Sequence, residues 1–102
     1  MIESVMVDAV EYRVEETDEK IIIEGQQCVA DVDYNSALIR IGNVVGEGAK
    51  AKVLMHEIFH ALLSERGLGA ESQNEMLVNE LASGTINLIR DNPALVEFII
   101  SA

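Results

Sequence analysis

Cysteine, cationic residues and long apolar runs are all scarce in this chain, and each scarcity excludes a class of protein. Cys28 is the one cysteine among 102 residues, so no disulfide can form within the chain. This is typical of a reducing compartment, and we expect a cytoplasmic protein. The start of the chain, Met1 to Ser4, lacks the basic residues and apolar stretch of a signal peptide. No apolar run approaches the length of a membrane span, so we expect no membrane association.

The low count of lysine and arginine leaves a strongly acidic chain. Seven cationic residues face 18 aspartates and glutamates, and the net charge is −11. Such a surface repels the phosphates of nucleic acids, so we expect no DNA or RNA partner. Two interpretations of the charge stay open: it keeps the protein dissolved, or it attracts a basic peptide or protein.

The length and the patterning predict one α+β domain over residues 1–102. Residues 1–43 are rich in short β-branched and alternating segments, which predict strands. Within them, residues 27–33 and 37–41 are typical of a hairpin. Residues 49–102 carry helical patterns. We therefore expect a small antiparallel or mixed sheet packed on two main helices, with a short C-terminal helix.

The segment His56-Glu57-Ile58-Phe59-His60 carries the strongest functional signal, because it is an HExxH motif holding both histidines of the chain. On a helix, imidazoles four residues apart point the same way and can bind one zinc ion. Glu57 can then accept a proton from a water on that ion, as a general base. The surrounding residues, 51–66, are good helix formers, and Gly67 follows as a predicted C-cap. The pattern predicts a zinc hydrolase.

A catalytic zinc site needs a third protein ligand, and the chain has no third histidine. Cys28 lies in a predicted strand and is better explained as a small core residue. Among carboxylates, Glu80 is our choice, since it lies mid-helix at the edge of an apolar stripe, where a charge needs a partner. Glu75 is the rival, but Ser72 to Glu75 fits a capping box that gives Glu75 a structural role. Glu71 precedes the helix and is expected to be solvated.

The helix that carries Glu80 supplies the other predicted features of the site. Its apolar stripe is expected to pack on the motif helix and consists of Leu77, Leu81 and Leu88. Gly84 is unfavourable inside a helix, and close approach of the two helices would explain it. Ser83 and Asn87 share that face and are candidates for orienting a metal ligand by hydrogen bond.

The last helix is predicted to begin after Asn92, with Pro93 at its first position. Its residues Leu95 to Ile100 are too apolar to face water together. We expect them to pack on the core, and the alternative is a contact with another copy of the chain, which would make a homo-oligomer.

The HEIFH segment, followed by Asn79-Glu80, resembles the gluzincin branch of HExxH zinc metallopeptidases. The resemblance implies Zn²⁺ bound by His56, His60 and Glu80, with Glu57 as the base. Residues 74–82, and the strands before the motif, resemble the short ImmA/IrrE-type metallopeptidases of phages and mobile elements. Many gluzincins carry an acidic residue four positions after the ligand glutamate, where this chain has Gly84.

The sequence thus predicts hydrolysis of peptide bonds in a peptide or protein substrate. Tyr34 and Tyr12 are the candidates for stabilising the oxyanion, although a packed or turn position is the favoured interpretation of each. The strand at residues 37–41 would bind an extended substrate if it formed a sheet edge. Two other hypotheses stay open: a non-catalytic zinc-binding module that contacts a protein partner, and a protein whose histidines are structural and bind no metal.

Overall fold

The computed structural model describes residues 1–102 and has an α+β architecture of two sheets and four helices. The strands are β1 (Ser4–Val7), β2 (Val10–Thr17), β3 (Ile21–Ile23), β4 (Gln26–Cys28), β5 (Ala30–Asp33) and β6 (Leu38–Gly42). The helices are α1 (Glu47–Glu65), α2 (Gly69–Ser72), α3 (Glu75–Asp91) and α4 (Pro93–Ser101). None of these helices combines the length and the apolar character needed to cross a membrane.

The main sheet is mixed, with strand order β1-β2-β6-β5. The β1–β2 and β5–β6 pairs are antiparallel, whereas β2 and β6 run parallel, with Val14 opposite Ile39. The predicted hairpin is confirmed in β5–β6, where Asp33 accepts hydrogen bonds from the backbone N–H groups of Asn35 and Ser36 in the turn. The Ser36 hydroxyl, followed by these backbone groups, stabilises the ionised carboxylate and lowers the pKa of Asp33.

One expectation about the strands is wrong, and one condition set on a strand is not met. Residues 27 and 28 pair with β3 in a separate two-stranded sheet instead of joining the hairpin. The strand at residues 37–41 is not a sheet edge, because β6 lies between β2 and β5. The free edges of the main sheet belong to β1 and β5.

Helix α1 packs on this sheet and closes the core. Tyr12, Ile39, Ile41 and Ala61 are all fully buried there. The Tyr12 hydroxyl donates a hydrogen bond of 2.6 Å to the Glu65 carboxylate at the end of α1. This placement excludes Tyr12 as an oxyanion donor, since it belongs to the core.

Helix α1 ends as the sequence predicts, but α3 does not begin as predicted. Gly67 has a φ of +77°, a conformation that glycine adopts without strain, and terminates α1. Asn74 caps α3, its side chain accepting a hydrogen bond from the Leu77 N–H at 3.1 Å. The capping box from Ser72 is therefore wrong, because Glu75 is the first residue of α3, and Ser72 belongs to α2.

The face of α3 that packs on α1 is also not the predicted one. Val78 and Ala82 are fully buried, whereas the predicted stripe is exposed: Leu77 and Leu81 at 36% and Leu88 at 55%. A Cβ atom added at Gly84 would meet nothing within 4 Å, so no close helix approach explains this glycine. Helix α4 has no buried residue, which overturns the expectation that it packs on the core.

Candidate metal centre

The HExxH motif lies in the middle of α1, and its two histidines face the same side. Their Nε2 atoms are 3.2 Å apart, and the ring centroids are separated by 4.8 Å. The helix produces this arrangement because residues four apart are neighbours on its surface.

Glu75, at the first position of α3, completes a three-residue cluster with the histidines. Its Oε2 lies 2.9 Å from Nε2 of His56, and its Oε1 lies 3.0 Å from Nε2 of His60. One ligand atom from each residue falls within 4.8 Å of the others, so the group could hold a metal ion. The Glu75 side chain is 71% exposed, which puts the cluster at the surface of the cleft.

The structure does not bring Glu80 to this cluster. Glu80 is an exposed residue further along α3, and it makes no hydrogen bond or ion pair with either histidine. Ser83 is half-buried and Asn87 is exposed, and the hydrogen bonds of the histidines go to neither of them. The geometry therefore places Glu75, the rejected rival, where Glu80 was expected.

Ser72 holds His60 in place through two hydrogen bonds. The Ser72 hydroxyl donates to the backbone carbonyl of His60 at 2.9 Å, and the Ser72 carbonyl accepts from Nδ1 of His60 at 2.6 Å. Ser72 is 1% exposed, so both contacts are shielded from water. The Tyr34 hydroxyl lies 3.3 Å from the Ser72 hydroxyl, and it donates because the Ser72 proton is directed at His60. Tyr34 thus helps to hold Ser72 in place without belonging to the cluster.

The hydrogen bonds around His60 leave an excess of acceptors in the cluster. A carbonyl oxygen only accepts, so Nδ1 of His60 carries the proton and Nε2 of a neutral ring carries a lone pair. That lone pair faces a carboxylate oxygen of Glu75 at 3.0 Å, and two acceptors repel each other. A positive charge between them, either a proton on Nε2 or a metal cation, removes the conflict.

The cluster fits a zinc ion by both chemistry and spacing. Two imidazole nitrogens and one carboxylate oxygen are a ligand set of catalytic zinc sites. Ligand atoms placed tetrahedrally at about 2.0–2.1 Å from zinc lie ~3.3 Å from one another. The two Nε2 atoms are 3.2 Å apart, which is close to this value, and each faces a different oxygen of Glu75: Oε2 lies 2.9 Å from His56 and Oε1 lies 3.0 Å from His60. The Ser72 carbonyl gives His60 the outer hydrogen bond that metal-binding histidines need.

Glu57 lies beside the cluster and lines the same cleft. The cleft has a volume of about 390 Å³ and is lined by residues of β4, β5, α1 and α3, including Ala30 and Asn79. Glu57 is 8% exposed. Burial raises its pKa to about 7, and the negative charges of Glu75 and Asp31 add to the shift. A carboxyl group with this pKa can both take up and release a proton near neutral pH.

Sequence reasoning considered Glu75 and rejected it as a member of the cluster, and it missed Ser72 as the residue that orients His60. The signal for Glu75 was present in Asn74, a strong N-cap residue that permits a helix start at Glu75. No comparable signal exists for Ser72, because its contact to His60 uses a main-chain carbonyl, which every residue has.

Comparisons with known proteins give no match: no protein-family model, no curated protein and no solved structure is similar to this chain.

Proposed function

We propose that this chain is a zinc-dependent metallopeptidase with a minimal zincin-like fold. The observation that carries the proposal is the convergence of His56, His60 and Glu75, whose ligand atoms lie close enough together to hold a metal cation. The buried carboxyl group of Glu57 in the same cleft adds a general base. Glu75 replaces Glu80 as the proposed third ligand.

In this proposal each side chain around the zinc site has a separate role. Zinc, when bound, polarises the substrate carbonyl and lowers the pKa of water. Glu57 accepts the proton of the attacking water on its carboxylate and delivers it to the leaving amine. Ser72 keeps His60 in the tautomer whose Nε2 is free, and Tyr34 holds the Ser72 hydroxyl. Tyr34 is thus a positioning residue in this scheme.

The sheet edge beside the cleft gives a place for an extended substrate. Ala30, the first residue of β5, lines the cleft, and β5 is a free edge of the main sheet. A peptide added there would pair with unpaired main-chain groups, the mode of recognition called β-augmentation. The net charge of −11 favours a basic peptide.

Zinc binding is tested first, with two glutamates of the same helix as a matched pair. Glu75→Gln removes a proposed ligand, whereas Glu80→Gln makes the same chemical change at an exposed position outside the cluster. Loss of a residue that only hydrogen-bonds to a metal ligand typically weakens metal binding by about 10–100-fold. We expect Glu75→Gln to weaken zinc binding by more than this, because it removes a proposed ligand. Glu80→Gln should bind like the parent chain. Competition titration against a chromophoric chelator measures both, and equal effects would reject Glu75 as a ligand.

Catalysis is tested by digestion of a broad peptide library with the zinc-loaded protein. We expect cleavage by the parent chain and by Glu80→Gln, and none by Glu57→Gln, which should still bind zinc. Unchanged turnover in Glu57→Gln would reject the general base. The rival function, a zinc-binding interaction module, predicts zinc binding without cleavage under any condition. A protein that binds no zinc would favour structural histidines.

A further inference from the structure

The metal cleft contains one lysine to which the proposed mechanism gives no role. Lys52 lines the cleft together with both motif histidines, Glu57 and Glu75. It lies four residues before His56 on α1, so the two side chains share one side of the helix, about one turn apart. The histidines and the two glutamates are the proposed metal ligands and the proposed base. Lys52 is thus the one charged residue of the cleft whose part in the reaction is open.

Lys52 also has no partner for its charge within the chain. It takes part in none of the seven ion pairs of the structure, although the chain has 18 acidic residues. Lys50, two residues earlier on the same helix, contacts Glu16 at 2.5 Å and Glu47 at 2.7 Å. Lys50 is therefore fixed by two carboxylates, whereas the ammonium group of Lys52 is available to a carboxylate from outside the chain.

The charge of the cleft favours an anionic group when zinc is bound. The ion brings two positive charges and Lys52 brings a third, and these exceed the negative charges of Glu57 and Glu75. The lining of the cleft is then positive on a chain whose net charge is −11. Such a local excess attracts an anionic part of a ligand to this place and not to the surrounding surface.

We propose that Lys52 determines specificity by binding a carboxylate of the substrate, one or two residues from the scissile bond. Four residues of α-helix span ~6 Å, and an extended peptide advances about 3.3 Å per residue. The offset of Lys52 from the metal ligand His56 therefore corresponds to one or two residues of substrate. The carboxylate belongs either to an aspartate or glutamate side chain or to the C-terminus of the peptide. This inference rests on the proposed peptidase function.

The net charge of the chain and the charge of Lys52 act on different parts of the substrate. The net charge acts at long range on the whole peptide and favours a basic one. Lys52 acts at short range, on a carboxylate that reaches the cleft, because salt screens it from more distant groups. The substrate we infer is a largely basic peptide with one acidic group beside the bond that is cleaved.

Substrate binding is tested without cleavage, in the zinc-loaded Glu57→Gln variant. Three fluorescent peptides of one sequence are compared by anisotropy: one with a central aspartate and an amidated C-terminus, one with asparagine and an amidated C-terminus, and one with asparagine and a free C-terminus. We expect a peptide with a carboxylate to bind roughly 3–10-fold more tightly than the neutral peptide. Whether the aspartate or the free C-terminus gives the gain identifies the source of the carboxylate.

Two charge reversals decide whether Lys52 causes this preference. Lys52→Glu, added to the Glu57→Gln variant, should abolish it. Lys20→Glu is the matched control, because Lys20 is also exposed and without an ion pair but lies outside the cleft. It changes the net charge by the same amount and should keep the preference. Equal binding of the three peptides, or a preference that survives Lys52→Glu, overturns the proposal.

Cleavage gives a second measurement and separates this proposal from the peptidase function. In a library digest, the parent chain and Lys20→Glu should show a kcat/KM roughly 3–10-fold higher for peptides with the acidic group than for neutral ones. Lys52→Glu should prefer lysine at that position instead. An equal loss of kcat/KM with every peptide would assign Lys52 to the reaction itself and overturn the proposal. Binding through Lys52 without any cleavage would reject the peptidase and support the carboxylate site.

Discussion

Ile39 and Leu88 are both large aliphatic residues in regular secondary structure, yet they differ in burial. Ile39, on the central strand β6, is fully buried under α1, whereas Leu88, on α3, is 55% exposed. The difference extends to their surroundings. Nine of the eighteen large hydrophobic residues that are exposed lie on α3 and α4. The sheet side of the molecule thus contains its core, and the α3–α4 side presents apolar surface outward.

Truncation to alanine at these two positions should give the largest difference in the free energy of unfolding between the two sides of the molecule. Ile39→Ala removes a buried side chain and should lower the free energy of unfolding by about 3 kcal/mol. Leu88→Ala, the matched change on α3, should cost less than about 1 kcal/mol, because the side chain already contacts water. Urea unfolding followed by circular dichroism measures both. Similar losses for the two variants would show that the α3 face is buried in solution.

Zinc should stabilise the contact between the two sides of the molecule, because its proposed ligands join α1 of the core to α3. At zinc concentrations about 100 times the dissociation constant, the free energy of unfolding should rise by ~2.7 kcal/mol. Thermal unfolding with zinc and with a chelator gives this difference. His60→Ala should unfold at the same temperature under both conditions. An equally large zinc effect in that variant would mean that the metal binds elsewhere.

The buried hydroxyl of Tyr12 makes the stability of the core side depend on pH. Burial and the neighbouring Glu65 carboxylate raise the pKa of Tyr12 well above its ordinary value of 10.0. An unfolded chain ionises this tyrosine first, so its contribution to stability is complete below pH 10.0 and is lost as the pH rises above that value.

Tyr12→Phe should therefore lower the free energy of unfolding by roughly 1–2 kcal/mol at neutral pH, through loss of a hydrogen bond to a charged group. The difference in the free energy of unfolding between Tyr12→Phe and the parent chain should become smaller above pH 10.0. Denaturant unfolding at both pH values checks this. Tyr34→Phe, at a 39% exposed position, serves as the control for loss of a tyrosine hydroxyl at neutral pH. A difference that is constant with pH would contradict the burial argument.

Gly84→Ala gives the smallest effect and tests the outward face of α3. A Cβ atom at this position meets nothing within 4 Å, and alanine is the better helix former. The change should raise the free energy of unfolding by about 0.5–1 kcal/mol. Destabilisation in thermal unfolding would instead show that another surface approaches α3 closely at this glycine.

The sequence predicted the parts of the fold that local signals control. The β5–β6 hairpin follows from the Asp33 turn, and the end of α1 follows from the positive φ of Gly67. The motif histidines needed only a helix to bring them together. Each of these features depends on residues close in the chain, where turn chemistry and helical spacing decide the outcome.

The orientation of α3 could not be predicted, because its sequence carries two apolar stripes. Val78 and Ala82 lie on one stripe, and Leu77, Leu81 and Leu88 lie on the other. Helical periodicity is satisfied by either, and packing against α1 decides between them. Because the wrong stripe was expected to face α1, Glu80 was expected at the metal site. Shape then favours the smaller pair: Ala82 and Val78 allow close packing, and the leucines are left exposed.

The proposed metal ligands are near one another in the chain, since His56 and Glu75 are nineteen positions apart. The parallel β2–β6 pairing, in contrast, joins Arg13 to Leu38 across a longer stretch that includes a separate hairpin. Because short loops close at a lower entropic cost, the α1–α3 unit should assemble early during folding. A cation captured by that unit would then act as a folding nucleus, already in place before the sheet is complete.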